Sequence, residues 1–135
     1  MTAKLALLIA GLAAIPVAAH HSFTAEYDAH RPITLKGVVT SIEWTNPHAH
    51  FVLAVTDEKE TTNSWKIELA SPTVLVQNGW RSRLFKIGDL VSVDGAMAKD
   101  NSLTVNARVV TLADGRRLSA GSSGGDLPGA GARKD

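Results

Sequence analysis

Apolar and polar residues alternate along most of the chain between residues 33 and 113, a period of two that predicts strands rather than helices. Ile33, Leu35, Gly37 and Val39 share one parity, after which the apolar positions move to Ile42 and Trp44. Such a one-residue slip predicts a β-bulge, with Gly37 letting the strand coil sharply. Asn46-Pro47 marks a turn, and a second strand runs from His48 to Thr56 with Phe51, Leu53 and Val55 on one face. A polar loop from Asp57 to Asn63 leads to a third strand, where Trp65, Ile67 and Leu69 oppose Lys66 and Glu68.

Ser71-Pro72 reads as a helix N-cap followed by proline in the first turn, and Gly79 suits a left-handed stop, so a short helix is predicted over about Pro72 to Asn78. Gly88-Asp89 turns into a fourth strand with Val91, Val93 and Gly95 on one face. Asp100-Asn101 turns into a fifth with Leu103, Val105, Ala107 and Val109 on one face. The order β-β-β-α-β-β predicts an all-β fold with one short helix: a small five-stranded barrel of the OB-fold kind over residues 33–115. Residues 20–32 show no period and are expected to form an extended arm. Residues 116–135 are rich in Gly, Ser and Ala and are expected to be a disordered tail.

The amino end carries a different pattern. Lys4 precedes an unbroken apolar run from Leu5 to Ile15, followed by Pro16-Val17-Ala18-Ala19. A positive residue, a short apolar core and small residues before a cut are the three parts of a secretory signal peptide, here residues 1–19. Eleven residues rise about 16 Å as a helix, roughly half a bilayer core, so stable membrane insertion after cleavage is not expected. A periplasmic or secreted location follows. Cleavage after Ala19 leaves His20 as the first residue; cleavage after Ala18 leaves Ala19-His20-His21.

Composition narrows the chemistry. The chain has 135 residues, 44% of them hydrophobic, and no cysteine, which excludes a disulfide scaffold, a thiolate metal site and a cysteine nucleophile. Lys+Arg 14 against Asp+Glu 13 falls to 13 against 13 once Lys4 is cleaved off, so a nucleic-acid partner is not expected. Ser22 has no nucleophile-elbow context. Glu26, Asp28, Glu43 and Glu68 can each supply a carboxylate, yet no spacing marks two of them as an acid–base pair. No catalytic residue is expected.

His20-His21-Ser22-Phe23 after the signal, Gly37-Val38-Val39, Glu43-Trp44-Thr45-Asn46-Pro47-His48, and Gly88-Asp89 before a valine strand together resemble an uncharacterised bacterial family of small exported proteins, a domain of unknown function. The resemblance runs from His20 to about Gly115. More distantly, the strand order is similar to that of periplasmic bacterial OB-fold proteins. It implies an exported β-barrel and brings no activity and no catalytic residue with it.

All five histidines, His20, His21, His30, His48 and His50, fall within the first 50 residues. His48 and His50 stand two apart on a strand, so their side chains leave one face about 6.6 Å apart, opposite in parity to Phe51, Leu53 and Val55. A strand His-X-His pair can give two imidazole ligands to one ion. A processed His20 adds an α-amine and a third imidazole, a three-nitrogen brace that suits Cu(II). Cu(II) is therefore the expected ion, ahead of Zn(II) or Ni(II), with His20, His48 and His50 as primary ligands and His21 and His30 in reserve. The bland reading of the same residues is a solvated terminus and a solvated strand face.

Two other functions fit the pattern. One is a non-catalytic OB-fold module that binds an oligosaccharide, a peptide or a partner protein on a face built from Trp44 and Trp80. The other, ranked last, is a metalloenzyme using a histidine brace. Arg81, Arg83 and Lys86 form a small basic patch after the helix, ordinarily a solvated connector.

Overall fold

A computed structural model of the chain describes residues 23–121. Residues 1–22 and 122–135 lie outside it, and with them the expected signal peptide, His20, His21 and most of the expected tail. A helical turn at residues 23–26 leads into β1 (Tyr27–Glu43), β2 (His50–Thr56), β3 (Thr62–Glu68), α1 (Pro72–Gln77), β4 (Leu90–Ala98), β5 (Thr104–Thr111) and β6 (Arg117–Ser119). The six strands form one sheet in the order β3-β2-β1-β4-β5-β6. A parallel pairing of Lys66, Ile67 and Glu68 with Thr104, Val105 and Asn106 also joins β3 to β5. The architecture is all-β with one short helix, as the alternation predicts.

The bulge falls where the parity slips. Val39 pairs with Leu53 and Ser41 with Val52, so the register shifts between Val39 and Ser41, and the inward-facing positions pass from the buried Leu35, Gly37 and Val39 to the partly buried Ile42. Gly37 has a more specific role than sharp coiling. A Cβ there would stand 2.2 Å from the Ala54 carbonyl oxygen, so only glycine admits the neighbouring backbone. The helix boundary signals also work as read: the Ser71 side chain accepts from the Val74 N–H, proline occupies the first turn, and Gly79 takes φ 92° after the last turn.

Three expectations need correction. The first strand starts at Tyr27, not Ile33, so residues 27–32 of the expected arm are sheet. Tyr27 pairs with Ala98 and its ring is buried, but the register is irregular between Tyr27 and Pro32, which hides the period in the sequence. The strands number six rather than five, because Arg117–Ser119, assigned to the tail, pairs with β5. Leu118 is buried opposite Val110, and the Trp80 indole Nε1–H donates to the Ser119 carbonyl at 2.8 Å. The β5 face is also misread: Leu103 is 43% exposed, and a register shift opposite Asp94 and Gly95 puts Val110 in the core in place of Val109.

The core gathers Val39, Phe51, Leu53, Ile67, Val93 and Val105 from the sheet with Leu75 of the helix and Trp80 beyond it. Phe51, Phe85 and Trp80 meet edge to face, with ring centroids 4.9 and 5.2 Å apart. The β1–β2 turn, residues 44–49, is tied at its end by Ala49, which is bonded to Leu69 and Ala70 just before α1. That turn begins with Trp44 and carries His48.

Candidate functional site

The histidine pair is set by strand pairing. Ala49 is buried and continues the ladder past β2, exchanging backbone hydrogen bonds with Leu69 and Ala70, so His48 and His50 emerge together on the other face. His50 is the direct cross-strand partner of Glu68. The His48 ring donates through Nδ1 to Glu68 Oε1 at 2.8 Å, while His50 Nε2 lies 3.9 Å from Glu68 Oε2. The Tyr27 hydroxyl donates to the same Oε2 at 2.7 Å. One carboxylate on β3, 13% exposed, thus gathers two imidazoles and a phenol from two other strands and a turn.

Two features of this cluster have chemical weight. Burial first, and then the nearby Lys66 ammonium, hold the His50 imidazole below its ordinary value, so the ring is uncharged at neutral pH. Its Nδ1 is buried and has no hydrogen-bond partner. Tyr27 is pushed the other way: burial, reinforced by its bond to Glu68, raises its pKa and keeps it a proton donor to the carboxylate. Phe23 stacks on the Tyr27 ring at 5.7 Å, so the first described residue is packed beside the cluster. A polar cleft of about 580 Å³, lined by Tyr27, Glu68, Lys66, Lys99, Glu26 and Asp100 among others, opens next to it.

Among the described residues no group of three or more His, Asp or Glu side chains is arranged to hold a metal ion. His30 is exposed on β1, with its backbone N–H donating to Asp28 Oδ1, and no contact joins it to the pair. The expected ligands His20 and His21 fall outside the described residues. The residues missed by sequence reasoning are Tyr27, which was read as part of the arm, and Glu68, which was one carboxylate among four. A strand register that sets Glu68 beside His50 would have found the second.

Trp44 and Trp80 also come together, with ring centroids 6.2 Å apart and planes tilted by 45°. They line a pocket of about 540 Å³ with Ile42, Val76, Arg81, Ser82 and Phe85. Trp80 is buried and has its indole N–H bonded to Ser119; Trp44 and Val76 are 44% and 48% exposed and form the open side. The basic patch divides here. Arg81 lines the pocket, and Arg83 and Lys86 are exposed outside its lining.

A family model described as a family of unknown function (DUF6152) matches residues 8–106. No curated protein and no solved structure matches the chain.

Proposed function

Since the chain belongs to that family of unknown function, its role is read from its own residues, and we propose an exported metal-binding protein that prefers Cu(II). In this reading residues 1–19 are removed on export, and the sheet closes as an OB-fold-like barrel through the parallel β3–β5 pairing. His48 and His50 form half of the metal site, completed by the amine and imidazole of a processed His20, with His21 in reserve. The observation that carries the reading is the convergence of His48, His50 and Tyr27 on Glu68. A carboxylate that takes one ring nitrogen of a histidine fixes its tautomer and raises the basicity of the other, the usual outer-sphere support of a metal-binding imidazole. His48 Nε2 is the ligand atom so prepared, and the uncharged His50 ring needs no proton removed before it binds. Phe23, three residues after His20, is anchored on Tyr27, which leaves the first residue about 10 Å of extended chain with which to reach the pair.

The test is a competitive Cu(II) titration of protein exported and processed in its host compartment. One tight equivalent, well below micromolar, is expected. Replacing His48 and His50 by alanine abolishes it, and so does a residual methionine ahead of His20. Weak binding, or binding unchanged in the double variant, refutes the site. A second reading, a non-catalytic binding module, is favoured by the Trp44–Trp80 pocket alone.

A further inference from the structure

Deepening that second reading, and resting on it rather than on the metal site, we infer that the Trp44–Trp80 pocket takes a small anionic ligand, a carboxylate carried on a flat apolar ring. The walls are Ile42, Val76, Phe85 and the two indoles, and no lining side chain is acidic or carries an amide. The Trp80 indole N–H is already bonded to Ser119, so that residue presents only apolar surface to a ligand. The polar side-chain groups of the lining that remain are the Arg81 guanidinium, the Trp44 indole N–H and the Ser82 hydroxyl; all three donate, and only the hydroxyl also accepts. An oligosaccharide needs several acceptors as well as donors for its hydroxyls; with one accepting side chain against three donors, one of them charged, this pocket better matches an acceptor that carries charge.

Arg81 is prepared for that role. Its Nη1 donates to the carbonyl oxygens of Val76 and Trp80 at 2.9 and 2.7 Å, which fixes the guanidinium at the end of α1. Among the described residues no carboxylate forms an ion pair with it, and its bonds to the backbone leave from Nη1, which keeps Nε and Nη2 for solvent or a ligand. A planar fork already held in place loses little freedom when it binds a carboxylate. The half-exposed Trp44 and Val76 leave a mouth through which a ring of one or two fused cycles can enter to lie against the Trp44 indole, and about 540 Å³ is ample for it.

The experiment is calorimetric titration of the full processed chain, freed of metal, with 2-naphthoate and with its neutral counterpart 2-naphthalenemethanol. The carboxylate is expected to bind at least tenfold tighter than the alcohol. Arg81→Gln brings the two together, and Trp44→Ala weakens both at least tenfold, with far-UV circular dichroism unchanged. Equal affinities in the unmodified chain overturn the anionic class while leaving an apolar binding module. Failure of both ligands overturns the pocket and the module together. Self-association that protects Trp44 from a soluble quencher also overturns the inference, since the occupant is then a second copy. The comparison within the unmodified chain does not depend on how either variant folds.

Discussion

Glu68 receives hydrogen bonds from a phenol at the start of β1 and an imidazole in the β1–β2 turn, so it couples residues far apart in the chain. Tyr27→Phe removes one bond without emptying the packed site and is expected to cost about 1 kcal/mol, read as a lower urea midpoint at unchanged slope. His50 gives a pH signature. Its folded-state pKa lies below the unfolded value of 6.5, so the unfolded chain binds the proton more readily. Stability is full above that value and declines as pH falls through it toward the folded value. In chelator-treated protein the midpoint should start to drop as pH falls through about 6.5, and His50→Gln should flatten that decline. At this scale the sequence was partly legible. The period of two was enough to put His48 and His50 on one face and away from Phe51. It was not enough to bring Glu68 to them, because that depends on register between two strands, and register is fixed by the packed sheet.

The elements owe their shape to a few backbone requirements that side-chain patterns signal unevenly. The β1 bulge left a visible mark, a change of parity between Val39 and Ile42. The shift in the β4–β5 ladder left none: valines stand at both Val109 and Val110, so alternation alone could not choose the buried one. Gly37 and Gly95 both lie where another strand's backbone comes close, with the carbonyl oxygens of Ala54 and Asn106 only 2.2 Å from a hypothetical Cβ. Alanine at either position is expected to cost about 1–3 kcal/mol through forced backbone shifts. Ser71→Ala, which removes only the cap to Val74, is expected to cost about 1 kcal/mol. Thermal or urea denaturation of the three variants reads that order, and equal losses would mean that the close approaches are relieved elsewhere in the sheet.

At the scale of the whole molecule, the β3–β5 pairing and the short β6 strand bring distant parts of the chain into one packed unit. β6 was not legible, because a three-residue strand with one apolar position, followed by Gly and Ser, looks like a tail. Its effect is nonetheless large: it buries Leu118 and supplies the acceptor for the Trp80 indole. Ending the chain at Arg116 is expected to cost on the order of 3 kcal/mol, from the lost burial of Leu118 against β5 and a Trp80 indole N–H left without its acceptor. The same cut should red-shift tryptophan emission. An unshifted spectrum would mean that Trp80 finds another partner.

The seventeen residues of β1 have a consequence for how the molecule is made. Their later half pairs with β2, whose residues follow within a short turn, whereas their earlier half pairs with β4, from Tyr27 against Ala98 to Val38 against Leu90. A ribosome that has released residues 27–68 has therefore supplied a hairpin ladder for one half of the strand and nothing for the other. The first residues of β1 to be synthesised are among the last to find their neighbours, and for that interval they are an open edge that any passing strand can join. In pulse-labelled hydrogen exchange, amides of residues 41–43 should gain protection before those of residues 33–37.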